Sequence, residues 1–314
     1  MKTIKLTKMQ GLGNDFVVVD YPEYEKSNMR MADLAIKLCD RNFGIGADGM
    51  IIPNLNPENA DIGWYFYNSD GTTAQMCGNG IRCFAKYAKE KKLVNSNKFS
   101  VETLAGIIVP EILEDGTVKV NMSKPILESE KIPFNLQTHN VALNLVQGRK
   151  SELPCDAETS SIRRIDFNEN LNYPLTIEDK TFKLNAVSMG NPHCVVFVED
   201  DSDLLELAKT YGPKIEKHPL FPEKTNVEFI KIISENEMNL RVFERGCGIT
   251  LACGTGACAS VVAAILNNLT ESKVKVNLLG GSLTIEWQGS LANLDVDVYM
   301  TGPADYVFFA ECIL

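Results

Sequence analysis

Ala252-Cys253-Gly254-Thr255-Gly256-Ala257-Cys258-Ala259-Ser260 is the stretch on which the reading of this chain turns. A near copy stands earlier, at Met76-Cys77-Gly78-Asn79-Gly80-Ile81-Arg82-Cys83. Both copies carry Cys-Gly-x-Gly, both run straight into a helical pattern, and they lie a little over half the chain apart. Ala257 to Leu266 is apolar almost all round, and Ile81, Phe84, Ala85 and Ala88 form a stripe at helical spacing, so each copy predicts a buried helix. A helix start offers unsatisfied N–H groups and the positive end of the helix dipole, which bind anions and favour a thiolate. Gly78, Gly80, Gly254 and Gly256 let a ligand come close to the backbone. One thiol-bearing helix start in each half predicts two related domains.

Outward from these helices the pattern is mostly strand. Ile4–Met9 and Phe16–Asp20 flank the turn Gly11-Leu12-Gly13-Asn14-Asp15, whose Gly-x-Gly lacks the third glycine and the following helix of a dinucleotide site. A helix is expected over Met29–Cys39, strands over Met50–Ile52 and Gly63–Tyr67, and a turn at Asn68-Ser69-Asp70-Gly71. Further strands are expected near Phe99–Glu102, Gly106–Ile112 and Thr117–Met122. The second half repeats this grammar, with strands at Val141–Val146, Leu184–Met189, Cys194–Glu199, Val227–Ile233 and Asn239–Glu244. It adds a helix over Asp203–Tyr211 capped by Ser202, and closing strands at Val274–Leu279, Ser282–Trp287, Leu294–Met300 and Tyr306–Cys312. Gln147–Pro174 is polar and poorly periodic and reads as a loop-rich insertion. Many strands round one buried helix per half predict an α+β fold rather than a doubly wound parallel sheet.

Composition narrows the function. The chain has 314 residues and a net charge of −10 without a basic block, which argues against nucleic acid as a partner. Its longest apolar run, Ala257–Leu266, falls far short of a membrane span, and Met1–Leu6 alternates like a strand rather than a signal peptide. The cytosol is therefore the expected location. Nine cysteines, an odd number, fit a reduced compartment better than a disulfide scaffold. The spacings Cys77-x5-Cys83, Cys247-x5-Cys253 and Cys253-x4-Cys258, with only His139, His193 and His218 beside them, do not form a zinc pattern, so no metal is expected. There is no Cys-x-x-Cys, and a thiol phosphatase would need arginine where Cys83 and Ala259 stand. Cys39, Cys83, Cys194, Cys258 and Cys312 read as structural, and Cys155 as a loop thiol. No nicotinamide, flavin or pyridoxal motif is present, so no cofactor is expected.

If the two halves are related by a pseudo-twofold axis, Cys77 and Cys253 face one cleft, which suits a reaction that removes a proton from one face and returns it on the other, such as inverting a stereocentre next to a carboxylate. One thiolate removes the α-proton beside a carboxylate, a planar carbanion forms, and the opposite thiol protonates the other face. A free cysteine titrates near ~8.5, close enough to neutrality for thiolate and thiol to coexist.

Six segments together carry a family resemblance: Gly11-Leu12-Gly13-Asn14-Asp15-Phe16, Asn68-Ser69-Asp70-Gly71, the Cys77 turn, Gly190-Asn191-Pro192-His193-Cys194, Thr225-Asn226-Val227-Glu228-Phe229, and Glu244-Arg245-Gly246 with the Cys253 turn. In this order they resemble the diaminopimelate epimerases. The resemblance implies a cofactor-independent epimerase interconverting LL- and meso-diaminopimelate, in lysine and cell-wall precursor synthesis. It implies two pseudo-symmetric domains, each a curled mixed or antiparallel sheet round its cysteine helix. Residues 1–125 form the first, with 300–314 returning to it, and 126–299 form the second. By the same resemblance Cys77 and Cys253 are the acid/base pair, and His193 and Glu244 tune them. Asn14, Asn68, Asn191, Asn226, Glu244 and Arg245 hold the substrate, and Gly78, Asn79, Gly254 and Thr255 bind its carboxylate. Gly49, Ile249 and Gln10 depart from common family residues, and Cys247 is an extra thiol. The alternatives are a related racemase or isomerase with another substrate, or a silent metabolite-binding homologue. A homodimer is an option the sequence leaves open.

Overall fold

The computed structural model describes residues 2–73, 77–135, 170–199 and 201–314. The strand expected at Val141–Val146, most of the Gln147–Pro174 insertion, His139 and Cys155 lie outside them. The chain divides into two compact units, one of residues 1–122, 277–286 and 298–314, the other of 123–276 and 287–297. Each is a sheet-rich α+β unit, and both share a core order of two antiparallel strands, a helical connection, two more strands and a cysteine helix.

In the first unit β1 (Thr3–Gly11) and β2 (Asn14–Val18) pair antiparallel, and two short helices follow, α1 (Tyr21–Ser27) and α2 (Met31–Cys39). The chain then returns as β3 (Gly49–Asn54), parallel to β2, turns into antiparallel β4 (Ile62–Asn68), and enters the cysteine helix α3 (Gly78–Glu90). Alternation along these strands buries both faces. Ile4, Leu6, Val17, Val19, Met50 and Ile52 pack with α2, while Phe16, Val18 and Ile51, of opposite parity, are equally buried. Trp64 of β4 stacks on Phe84 of α3, with ring centroids 5.6 Å apart, which seats the helix against the sheet. Two short strands, β5 (Val101–Thr103) and β6 (Gly106–Ile108), extend this sheet, and β18 (Asp305–Ile313) closes its other side on β1. A second run, β7 (Glu111–Ile112), β8 (Val118–Asn121), β17 (Tyr299–Gly302) and β16 (Gly281–Glu286), belongs to the same unit. Helix α3 contacts strands of both, so the sheets wrap it.

The second unit starts its repeat with β9 (Tyr173–Ile177), β10 (Lys180–Ser188) and β11 (Pro192–Phe197), all antiparallel neighbours. Helix α4 (Leu204–Glu216) leads to β12 (Asn226–Ser234), parallel to β11, and then to antiparallel β13 (Glu237–Glu244) with the two-residue β14 (Gly248–Ile249) on it. The cysteine helix α5 (Gly254–Leu266) follows, then β15 (Lys273–Leu278). Leu184, Ala186, Cys194, Val196, Val227 and Phe229 face α4, and the opposite parity faces α5. Registers of the two repeats coincide: Phe16 pairs Gly49 as His193 pairs Asn226, and Ile51 pairs Phe66 as Glu228 pairs Val242.

Several expectations are revised. Asp203, not Ser202, caps α4, its carboxylate accepting from the N–H groups of Leu205 and Glu206. The helix also runs past Tyr211 through Pro213 to Glu216. Gly212 there lets it close on β13, since a Cβ would lie 2.5 Å from that of Phe243. Helix α1 was not expected; Pro22 sits in its first turn, where a missing N–H costs nothing. Gly106–Ile112 is two strands, and Leu294–Met300 is strand only from Tyr299. Asn277–Glu286, placed with the second half from sequence, contributes β16 to the first unit, where it pairs with β17.

Candidate functional site

Cys77 is the N-cap of α3, and its Sγ accepts the N–H of Gly80 at 3.3 Å. Asn14 opens β2 on the parity of Phe16 and Val18, which brings its amide to the helix start. Its Oδ1 accepts from Asn79 Nδ2 at 3.2 Å and receives the Cys77 thiol at 3.8 Å. The amide is oriented from behind by Asp48, whose Oδ2 takes Asn14 Nδ2 at 2.6 Å. Arg41 bridges Asp15 and Asp48 at 2.8 Å each, and Lys8 reaches Asp15 at 2.6 Å. Burial alone would raise the Asp15 carboxyl, but Arg41 and Lys8 bring it down to about 2. Arg82 is fully buried under the turn, donating to Asn79 Oδ1 and Gly78 O at 3.0 Å and to Pro303 O at 3.1 Å. The turn is thereby locked by a guanidinium fork. Asn68 ends β4 and its amide donates to Thr72 Oγ1 at 3.0 Å, across its own turn.

Cys253 caps α5 in the same way, its Sγ accepting the N–H of Gly256 at 3.3 Å and lying 3.5 Å from Thr255 Oγ1. The strand face toward α5 carries polar side chains. His193, fully buried, places Nδ1 2.7 Å from Glu228 Oε1 and Nε2 3.0 Å from Asn191 Oδ1. Asn191 Nδ2 donates to Thr255 Oγ1 at 3.4 Å. Glu244, at the end of β13, accepts from Thr250 Oγ1, and burial, with Glu228 adding, pushes its carboxyl up. The Cys253 thiol is pushed well above its ordinary value by burial, then by Glu244 and Glu228, against the Thr255 hydroxyl and the Gly256 N–H. Asn226 donates to Pro192 O at 2.9 Å and accepts the Arg245 N–H at 3.0 Å, while Arg245 turns its exposed guanidinium to Glu223 O at 3.2 Å.

The structure thus gathers Asn14, Gly78 and Asn79 round Cys77. It gathers Asn191, His193, Glu244, Gly254 and Thr255 round Cys253, with Asn226 and Arg245 joined beside them. Glu228, Asp48 and Arg82 had no role assigned from sequence. Glu228 left a signal, since a charged residue inside the apolar run Val227-Glu228-Phe229-Ile230 must find a buried partner. At Gly49 a Cβ would sit 2.8 Å from Tyr67 O, so no side chain fits there. Gln10 bonds Asp305 and Gly13, and Ile249 packs against the α4 core. Cys39, Cys83, Cys194 and Cys258 are buried, and burial raises the thiols of Cys39 and Cys83 to about 12; Cys247 is exposed.

Solved structures with this doubled architecture define a class of fold. The chain is similar to a Bacillus anthracis phenazine biosynthesis protein of the PhzF family, at 16% identity over all of both chains with a TM-score of 0.63. It is also similar to a probable proline racemase from Agrobacterium radiobacter K84, at 14% identity over 99% of this chain and 93% of that one, with a TM-score of 0.62. Sequence relatives go further. A family model described as diaminopimelate epimerase matches residues 6–128 and 185–307. Diaminopimelate epimerase from Halothermothrix orenii is 45% identical over 99% of this chain and 98% of its own length. That from Carboxydothermus hydrogenoformans is 47% identical over 99% and 100%. This chain belongs to the diaminopimelate epimerase family.

Proposed function

We propose that the protein interconverts LL- and meso-2,6-diaminopimelate without pyridoxal phosphate or another cofactor, by a two-base exchange between Cys77 and Cys253. The observation that carries this reading is identity of 41–47%, over 99% of this chain, to proteins named diaminopimelate epimerase. The chemistry requires both sulfurs to reach one α-carbon from opposite faces. A carboxylate received by the N–H groups of Gly78 and Asn79 or of Gly254 and Thr255 would be held where negative charge develops as the proton leaves. Cys253, kept protonated by burial and by Glu244 and Glu228, serves as donor in one direction. In the reverse direction it must become the base, and the Thr255 hydroxyl and Gly256 N–H are its stabilisers. His193 and Glu244 set that balance. The amides of Asn14, Asn68, Asn191 and Asn226, with Glu244 and Arg245, supply acceptors for the ammonium groups and donors for the distal carboxylate of the substrate.

Such an activity belongs to lysine and peptidoglycan precursor synthesis in the cytosol. Among the described residues no helix is long and apolar enough to cross a membrane. A homodimer is one assembly open to it, and light scattering of the purified protein decides between monomer and dimer. The decisive experiment incubates reduced, cofactor-free protein with LL-diaminopimelate in deuterated water. Proton NMR should show loss of the α-proton signal while chiral chromatography shows the meso isomer. Cys77→Ala and Cys253→Ala should each lower turnover by about 10³-fold. Exchange with another amino acid but not this one would move the substrate; silence with all would remove the enzyme.

A further inference from the structure

Asn14 and Asn79 stand in one line between two charged side chains. Arg82 donates to Asn79 Oδ1 at 3.0 Å, Asn79 Nδ2 donates to Asn14 Oδ1 at 3.2 Å, and Asn14 Nδ2 donates to Asp48 Oδ2 at 2.6 Å. A lone amide can face either way, and here the neighbours decide. A guanidinium only donates, so Asn79 must turn its oxygen to Arg82 and its nitrogen to Asn14. Asn14 must then turn its oxygen to Asn79, which leaves its nitrogen for Asp48. Reversing either amide would set donor against donor. Arg82 settles both amides without reference to any proton on Asp48. The Asp48 end fits the same order, because Oδ2 also accepts the Asp15 N–H at 3.0 Å and Oδ1 accepts from Arg41 at 2.8 Å.

The same oxygen of Asn14 receives the Cys77 thiol at 3.8 Å. An amide oxygen carries no proton, so this contact is a hydrogen bond only while the sulfur keeps its own. The helix start does not need the line in order to form. By the shared strand register and the repeated turn, Thr225 stands for Asp48, Thr255 for Asn79 and Cys258 for Arg82 in the second repeat. Cys253 nonetheless caps its helix as Cys77 does, each sulfur taking an N–H at 3.3 Å.

We propose that Asp48 is a positioning residue of the Cys77 half of the site: from the far end of the line it holds Asn14 with its oxygen on the Cys77 sulfur, so that the cradle holds the thiol form. A hydrogen bond given by the neutral form disfavours the charged one, so the line opposes the helix start, which favours a thiolate. The other charged and titratable groups near the line or the sulfur are Lys8 from β1, Asp15 from β2, Cys39 from α2, Arg41 from the loop after it, Cys83 from α3 and Asp305 from β18.

This inference rests on the reading of Cys77 as an acid–base thiol, and alkylation, which needs no turnover, keeps the two apart. Iodoacetamide rates at Cys77 against pH, read by peptide mass spectrometry in a Cys247→Ser background, give the midpoint of its ionisation. Asn14→Ala should lower that midpoint by about half a unit or more, because the thiol loses its acceptor. Asp48→Ala should lower it by at least about half as much, and should add nothing in the Asn14→Ala background. Asp48→Asn removes the same charge yet can keep an oxygen toward Asn14, so it should restore most of the wild-type midpoint. In turnover Asp48→Ala should lower kcat/KM about tenfold alone and less than about twofold beside Asn14→Ala. An unmoved midpoint in Asn14→Ala overturns the proposal, whether or not any Asp48 variant folds. Equal midpoints for Asp48→Asn and Asp48→Ala, or additive effects of Asp48→Ala and Asn14→Ala, also overturn it, leaving Asp48 a distant charge. Absence of turnover in the wild type would instead strike the epimerase reading and leave the alkylation test standing.

Discussion

Phe16 and Ile51 in the first repeat occupy the positions that His193 and Glu228 fill in the second, and this exchange of an apolar pair for a charged one separates two otherwise similar helix starts. Each cysteine caps its helix and takes the N–H three residues on at 3.3 Å. Around Cys77 the neighbours are neutral amides backed by the buried Arg82. Around Cys253 they are two carboxylates and a histidine. The lesson is that the two repeats share the backbone cradle while their side chains give the two sulfurs different surroundings.

The largest effect should be on thiol reactivity. Cys253 is buried and its thiol is pushed well up, whereas Cys77 is half-buried. At neutral pH iodoacetamide should modify Cys253 about tenfold or more slowly than Cys77. Peptide mass spectrometry after timed quenching reads the two rates, and a Cys247→Ser background removes the exposed thiol. Equal rates would break the comparison.

Next comes packing. A Cβ at Gly256 meets the Glu228 carboxylate at 2.6 Å, while at Gly80 the nearest atoms lie at 3.3–3.4 Å. Gly256→Ala should therefore destabilise by about 2 kcal/mol and Gly80→Ala by less than about 1 kcal/mol in denaturant unfolding. A reversed order would mean that the buried acid yields more readily than the Cys77 cap.

The smallest effect concerns acid. Asp15 falls from its ordinary 3.8 to about 2 in the folded state through Arg41 and Lys8, against the opposing effect of burial. A depressed carboxyl contributes stability that is complete above its unfolded value and is lost as pH falls toward the folded one. Asp15→Asn should thus flatten the loss of stability between about pH 4 and pH 2 and lower stability at neutral pH by about 1 kcal/mol, screening included. The second unit should show no matching change, which chemical unfolding followed by a probe in each unit would test.

Much of this was legible because it follows local rules. The two cysteine caps, α3 and α5 came from the glycine turns and apolar helical periodicity, and β1, β3, β4, β12 and β13 from alternation and turn residues. The missed parts depend on tertiary partners. Helix α1 is a two-turn segment without an apolar stripe of its own, and β16 takes its place from pairing with β17 rather than from its sequence. Asp48 and Arg82 are ordinary charges until folding sets them against Asn14 and Asn79. Family resemblance alone pointed to Asn14, Asn191 and Asn226 as site residues, where local chemistry says only that asparagine suits a turn.

The pairing of β18 with β1, Thr3 against Ile313 and Gln10 against Asp305, has a consequence for biosynthesis. A ribosome adds about 5–20 residues per second, so β1 leaves the exit tunnel tens of seconds before its outer neighbour exists. Throughout that interval the strand presents an open edge, the situation in which nascent chains recruit chaperones or aggregate. The second unit has received its last residues, 287–297, before the earlier-made unit receives 298–314. The half of the fold translated first is therefore the half completed last.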